Sequence, residues 1–157
     1  MKLLVGAVGR LKAPYAIDGC TTFEKRLRRY FPVIHAETKD IKRRKSSNAH
    51  QVREDESGAL LNLVPNGSLI VALDETGRQW RTAELASWLD EQKNRSVSAV
   101  SFLIGGPDGH GDRVRTKAHR LWSLSQLTLP HEMARLLLFE QLYRAASILH
   151  GHPYHRV

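Results

Sequence analysis

The chain has 157 residues, with 24 Lys and Arg against 16 Asp and Glu, a formal charge of +8, and 41% hydrophobic and 25% charged residues. That length and composition predict one domain over 1–157 with a core of its own, and exclude a disordered tail or a collagen-like fibre. No apolar run approaches the roughly 18 residues of a membrane helix, and the lone Cys20 excludes a disulfide framework and a multi-cysteine zinc site and suits a reducing cytoplasm.

Lys2 to Val8 is a short apolar run that reads as a buried strand rather than a signal peptide, and Gly9 ends it. Phe23, Leu27 and Tyr30 recur at helical spacing and predict a helix over about 18–30, stopped by Pro32. Val33 to Thr38 is a second strand, 40–49 a polar basic loop, and about 51–63 a helix closed by Pro65-Asn66-Gly67. A third strand runs from Ser68 to Leu73 and stops at Asp74 to Gly77; Thr82 is a good cap for a helix over 83–94. Val97 to Ile104 is a fourth strand that enters the glycine-rich Gly105 to Gly111. A weaker helix over 112–119, a fifth strand over 121–124 and a last helix from Pro130 to about His150 complete the chain. Strands alternating with helices predict an α/β fold, a mainly parallel sheet with helices on both faces.

The last helix is apolar in almost every direction, and one sheet covers one side of it. A second subunit is the simplest cover for the rest, which predicts a homodimer. The charge is also uneven: residues 1–60 hold 13 Lys and Arg against 7 Asp and Glu, densest at Lys25, Arg26, Arg28 and Arg29 and at Lys42 to Lys45. Such runs attract polyanions by counterion release, although a solvated helix face and loop give the same pattern.

A glycine loop directly after a strand is where α/β sheets bind ligands, and glycine lets backbone approach a ligand closely. The loop is neither a G-x-G-x-x-G fingerprint nor a G-x-x-x-x-G-K-[ST] phosphate cradle. Cys20 has no base beside it in sequence and reads as an incidental thiol; no G-x-S-x-G elbow is present. His150, His152 and His155 lack a nearby Cys or carboxylate, so no metal site is expected. Tyr154, His155 and Arg156 could stack on or hydrogen-bond a base, or form a frayed terminus. Glu140 and Arg144 stand one turn apart, as an ion pair or as functional charges.

Four segments occur together in order: Phe102 to Gly109 (FLIGGPDG), Leu121 to His131 (LWSLSQLTLPH), Arg135 with Glu140 to Ala145 (EQLYRA), and His152 to Arg156 (HPYHR). With Val8 to Lys12 and Tyr30-Phe31, they make the whole chain resemble the large-subunit ribosomal RNA (23S rRNA) pseudouridine N3-methyltransferases of the SPOUT class, the RlmH type. The resemblance implies a C-terminal trefoil knot, a homodimer, and S-adenosylmethionine bound by Leu73, Gly105, Gly106 and Leu124, Ser125, Gln126, Leu127, Thr128 and Leu129. It implies methyl transfer to N3 of a pseudouridine on assembled ribosomes, in the cytoplasm, with no membrane or metal. Deprotonating an imide nitrogen needs alignment and a base or cation. Arg144 is expected as charge stabiliser and His155 or Tyr154 as proton acceptor or base clamp, with His131 and Glu140 as second choices; an imidazole is largely neutral at pH 7. Arg10, Lys12, Lys25, Arg26, Arg29, Arg43, Arg44 and Arg156 are expected to contact RNA. His110 departs from the family's apolar residue at that position. A non-enzymatic ribosome- or RNA-binding protein, or a SPOUT enzyme acting on another RNA, are the alternatives.

Overall fold

A computed structural model of the chain describes residues 1–41 and 48–155; Arg43, Arg44, their neighbours Lys42 and Lys45, and Arg156 lie outside the described residues. Five strands, β1 (Lys2–Val8), β2 (Val33–Thr38), β3 (Leu69–Gln79), β4 (Ala99–Ile104) and β5 (Arg120–Ser123), alternate with five helices, α1 (Pro14–Leu27), α2 (Ala49–Leu61), α3 (Thr82–Asn94), α4 (Asp112–Lys117) and α5 (His131–Leu149). The strands form one sheet in the order β2-β1-β4-β3-β5, and every pairing is parallel. The expected α/β fold is therefore present, with its sheet wholly rather than mainly parallel.

Side chains of β1 alternate between two cores, as the period of a strand requires. Leu3, Val5 and Ala7 join Cys20 and Leu27 of α1, Leu85 and Leu89 of α3 and the apolar side of α5. Leu4 and Val8 join Leu60 of α2 and Val114 of α4 on the opposite face. Helices thus cover both faces, which is why β1 and β4 read as unbroken apolar runs.

Where elements begin and end, the structure makes specific corrections. Pro14 opens α1 four residues earlier than the apolar spacing suggested, because its missing N–H costs nothing in a first turn. Arg81, not Thr82, is the N-cap of α3: the Glu84 carboxylate accepts the Arg81 N–H at 2.6 Å. The Thr82 hydroxyl instead donates to Gln141 of α5 at 2.7 Å. β3 continues past the expected turn at 74–77, through a register shift between Leu73 and Arg78, to pair Arg78 and Gln79 with β5.

Helix α5 packs between α1 and α3 over β4, and Leu138, Phe139, Leu142, Ala145 and Ala146 are fully buried within one chain. Three neighbours in the same molecule thus meet much of its apolar surround, while Leu136, Leu137, Ile148 and Leu149 stay only partly buried.

One charge sits inside this packing. Arg135 of α5 is completely buried; its guanidinium donates to the Glu37 carboxylate at the end of β2 (2.5 Å) and to the carbonyl of Gly9 after β1 (2.8 Å). Glu37 also accepts the Leu11 N–H at 3.2 Å. Glu132, one turn earlier, accepts from the N–H groups of Lys12 and Ala13. The first turns of α5 are thereby fastened to the loop after β1. A buried charge that loses its partner costs several kcal/mol. Glu37→Ala should lower the unfolding free energy by about 3 kcal/mol, seen as a lower urea midpoint at unchanged m-value; a shift too small to measure would show that the pair does not hold the helix.

Candidate active site

The sheet order places one crevice. From β1 the chain leaves towards β2, whereas from β4 it leaves across β3 to β5, so their carboxyl ends flank a topological switch point, where open α/β sheets bind ligands. Gly9 to Lys12 follow β1 there, and Gly105 to Gly109 follow β4. The glycine loop closes on itself through Gly109 N–H to the Gly106 carbonyl (2.9 Å). A Cβ on Gly105 would lie 2.7 Å from the Gly109 carbonyl carbon, and one on Gly106 would lie 2.6 Å from a Glu56 carboxylate oxygen and 3.4 Å from Val8. A side chain at Gly105 would run into backbone, and one at Gly106 would have to displace the Glu56 carboxylate, so the loop lies against β1 and α2 with both glycines buried. Leu73 sits beside Ile104 on one side and Trp122 on the other.

Residues 124–129 connect β5 to α5. Ser125 organises their first turn: its carbonyl accepts the Ser123 hydroxyl (2.9 Å) and its own hydroxyl accepts the Leu127 N–H (2.9 Å). Leu124 and Leu129 are half-buried, Gln126 and Thr128 exposed. Leu127 stands 75% exposed, an aliphatic side chain that the rest of the chain leaves in solvent. Glycines that leave backbone uncovered, and an aliphatic side chain left in solvent, are residue types that a flat apolar ring with a polar tail, such as a nucleoside cofactor, would use.

His110 follows the glycine loop, buried, with its Nε2 3.1 Å from the Leu103 carbonyl of β4, to which it donates. Burial pushes its pKa below the ordinary imidazole range; the Leu103 carbonyl and Asp74 oppose that shift, and Arg115 adds to it. Asp74 in turn accepts from Arg115 (2.8 Å) and from the Thr76 hydroxyl (2.6 Å). Cys20 is buried, and desolvation lifts its thiol to about 11, which makes it an inert core residue.

The expected catalytic residues form a second cluster elsewhere. Arg144 pairs with Glu140 at 2.5 Å and lies over the Tyr154 ring at 4.6 Å. Tyr154 donates to Glu140 (3.2 Å) and packs on Tyr143, ring centroids 4.7 Å apart. The tail up to His155 therefore folds back on α5 rather than fraying. The glycine loop touches Val8, and Gly9 holds Arg135. Arg144 follows Arg135 by two and a half turns, about 13 Å of rise. Beyond it, His150 meets Tyr30, which precedes β2 (4.6 Å between ring centroids). Arg144, Tyr154 and His155 thus lie towards the end of the sheet where the strands begin, whereas the crevice lies where they finish. Within one chain the two sets do not meet.

Among the expected RNA contacts, Arg10 and Lys12 are exposed on the loop after β1, beside the crevice. Lys25, Arg26 and Arg29 are exposed at the end of α1, where Arg26 lies 5.8 Å over the Tyr143 ring, near the tail cluster. His50, Glu54 and Asp112 approach one another, but Glu54 already accepts the backbone N–H groups of Asp112 and Arg113, which makes it a cap of α4. No spacing rule pointed to Glu37, Arg135 or Glu132 as partners, because they come from distant segments.

The family described as Predicted SPOUT methyltransferase matches residues 1–155. The protein of Syntrophotalea carbinolica named "Ribosomal RNA large subunit methyltransferase H" is 42% identical over 155 residues, covering 99% of each chain. Its namesakes in Hahella chejuensis and Deinococcus radiodurans are 39% and 42% identical over 156 residues. A solved structure of a probable methylase family protein from Haemophilus influenzae Rd KW20 superposes with a TM-score of 0.56 at 12% identity, over 99% of this chain and 70% of that one; it shares the fold. No helix among the described residues is long and apolar enough to cross a membrane.

A histidine buried neutral favours the folded state only while it is neutral. In the unfolded chain it protonates near pH 6.5, and the folded state, with its lowered pKa, does not follow until lower pH. Stability is therefore full above about pH 6.5 and falls as the pH drops below it. His110→Leu should flatten the fall in urea midpoint between neutral and mildly acidic pH, leaving the share of His35, whose pKa burial also lowers. An unchanged slope would remove His110 from this role.

Proposed function

The chain belongs to the SPOUT methyltransferase family, and on that premise we propose that it transfers a methyl group from S-adenosylmethionine to N3 of a pseudouridine in large-subunit ribosomal RNA, on the assembled ribosome in the cytoplasm. The observation that carries the reading is the crevice of Gly105, Gly106 and the uncovered Leu127, in a chain whose relatives are named as methyltransferases of large-subunit ribosomal RNA. The trefoil knot implied by the resemblance belongs to the same reading.

When bound, the cofactor supplies an electrophilic methyl on a sulfonium. Gly105, Gly106 and Leu73 would bring backbone groups to it, Leu124, Leu127 and Leu129 would enclose its apolar ring, and Ser125, Gln126 and Thr128 would offer polar contacts. Arg144 is the cation for the imidate that forms as N3 loses its proton. The Glu140 hydrogen bond raises the Arg144 pKa further, so its charge is fixed. Burial raises the Tyr154 pKa above the ordinary phenol range, and Glu140 adds to the effect while Arg144 opposes it. Tyr154 is thus protonated at neutral pH and serves as a clamp, which leaves His155 as the proton acceptor.

The separation along α5 supports a homodimer with composite sites. A second copy packed antiparallel on the α1–α5 side would bring Arg144, Tyr154 and His155 of the partner subunit to this crevice. Tyr15, Ile17, Leu127 and Met133, all large and exposed, belong to the segments such packing would cover. Arg10 and Lys12 from one chain and Lys25, Arg26 and Arg29 from the other would then flank one site.

Arg144→Ala, and deletion of Tyr154 to Val157, should each lower methyl transfer to ribosomes roughly a hundredfold, the size of a lost charge stabiliser, while calorimetry finds S-adenosylmethionine bound as before. Wild-type protein that shows no heat with that ligand at millimolar concentration would defeat the enzyme reading. Transfer to transfer RNA but not to ribosomes would change the substrate. Composite sites make a further demand: Arg144→Ala chains mixed with Gly106→Val chains should recover part of the turnover that each lacks alone. Absence of recovery in a mixture shown to contain mixed dimers would place the whole site in one subunit.

A further inference from the structure

All three tryptophans of the chain meet at the β5 edge of the sheet. Trp80, just after β3, stacks on the buried Trp122 of β5 with ring centroids 5.3 Å apart and 23° between planes. Trp88 of α3 tilts against Trp80 at 5.3 Å, and both Trp80 and Trp88 keep part of their surface in solvent. They stand on a groove of two adjoining lobes, about 430 and 450 Å³, which share Trp88, His119 and Arg120 as walls. Among the described residues no strand lies beyond β5, so the groove opens along that edge of the sheet.

The polar groups of this groove are arranged for an anion. Its acidic residues are each paired, Glu84 with Arg78 at 2.9 Å and Glu91 with Arg95 at 3.2 Å. Arg120 is exposed and makes no ion pair among the described residues. His119 accepts the Ile70 N–H on its Nδ1 at 3.1 Å, so the neutral ring carries its proton on Nε2 and offers a donor. Half-exposed indoles beside an uncommitted guanidinium and an N–H donor are what single-stranded nucleic acid needs: every base has a face to stack, and every step has a phosphate to pair. The place also fits. From Arg120, β5 runs about 13 Å to Leu124, where the proposed cofactor segment begins.

We propose that this groove holds a single-stranded stretch of the substrate RNA flanking the target nucleotide, with bases stacked on Trp88 and Trp80 and a phosphate held by Arg120 and His119. The identity of that RNA as ribosomal rests on the function proposed above; the groove's preference for single-stranded RNA does not.

Because the three tryptophans share this one cluster, intrinsic fluorescence of the full chain reports on it. A short unstructured RNA of mixed sequence should quench that emission without added cofactor. Trp88→Ala should weaken binding of a labelled copy of the RNA roughly tenfold, and Trp88→Phe should restore most of it. Arg120→Glu should weaken it similarly and reduce the slope of log K against log salt by about one. On ribosomes, Arg120→Glu should raise KM for methyl transfer with kcat little changed. Absence of quenching by wild type, or unchanged RNA affinity in both Trp88→Ala and Arg120→Glu, would overturn the proposal; so would crosslinks from the Trp88 position to a ribosomal protein instead of RNA. Wild-type chain that binds the RNA but methylates no ribosome leaves the groove standing and brings down the function.

Discussion

A single buried guanidinium sets the geometry from which the rest follows. Arg135 reaches out of α5 to the Glu37 carboxylate and the Gly9 carbonyl, and a charge in that position is held by directed bonds rather than by packing alone. It fastens the first turns of α5 to the carboxyl ends of β1 and β2, and Glu132 repeats the tie one turn away. The segment 124–129 enters α5 just before these anchors, so it is kept beside the glycine loop. The same anchor forces the far end of a 19-residue helix to the other end of the sheet, and Arg144 goes with it. The division of the candidate site into two clusters is thus a consequence of where α5 is pinned and how long it is.

Two further charges show how local surroundings divide the work. Glu140 serves Arg144 and Tyr154 together, fixing the guanidinium as a cation and the phenol as a donor. At the crevice, His110 occupies a site where burial disfavours its charge, so its ring acts as a neutral hydrogen-bond donor to β4. Asp74 and Arg115 lie close enough to bias it in opposite directions. Burial thus keeps a positive charge off His110, and the ring serves the packing of the glycine loop against β4.

The fold was largely legible from the chain because its strands are covered on both faces. Lys2–Val8 stands where a continuous apolar run predicted it and Val33–Thr38 where a second strand was expected, and the glycine loop follows β4 as expected. Boundaries failed where a side chain answered to a distant partner: Thr82 bonds Gln141 across the helix layer, and Arg78 pairs with β5 beyond a turn signal. The cover over α5 was legible only in part for the same reason. Hydrophobic periodicity reports that a helix face is buried, not which element buries it, and here α1 and α3 do so.

By itself the sequence determined the element order, the parallel α/β class, the inert thiol and the motifs that place the chain in its family. These depend on local spacing and residue type, which a linear pattern records. Tertiary structure decided that Arg135 meets Glu37, that three tryptophans from separate segments share one cluster, and that Arg144 lies at the opposite end of the sheet from the crevice it was expected to serve. Such facts depend on which distant segments the sheet order and the buried charge bring together, and no spacing along the chain encodes a distance through space.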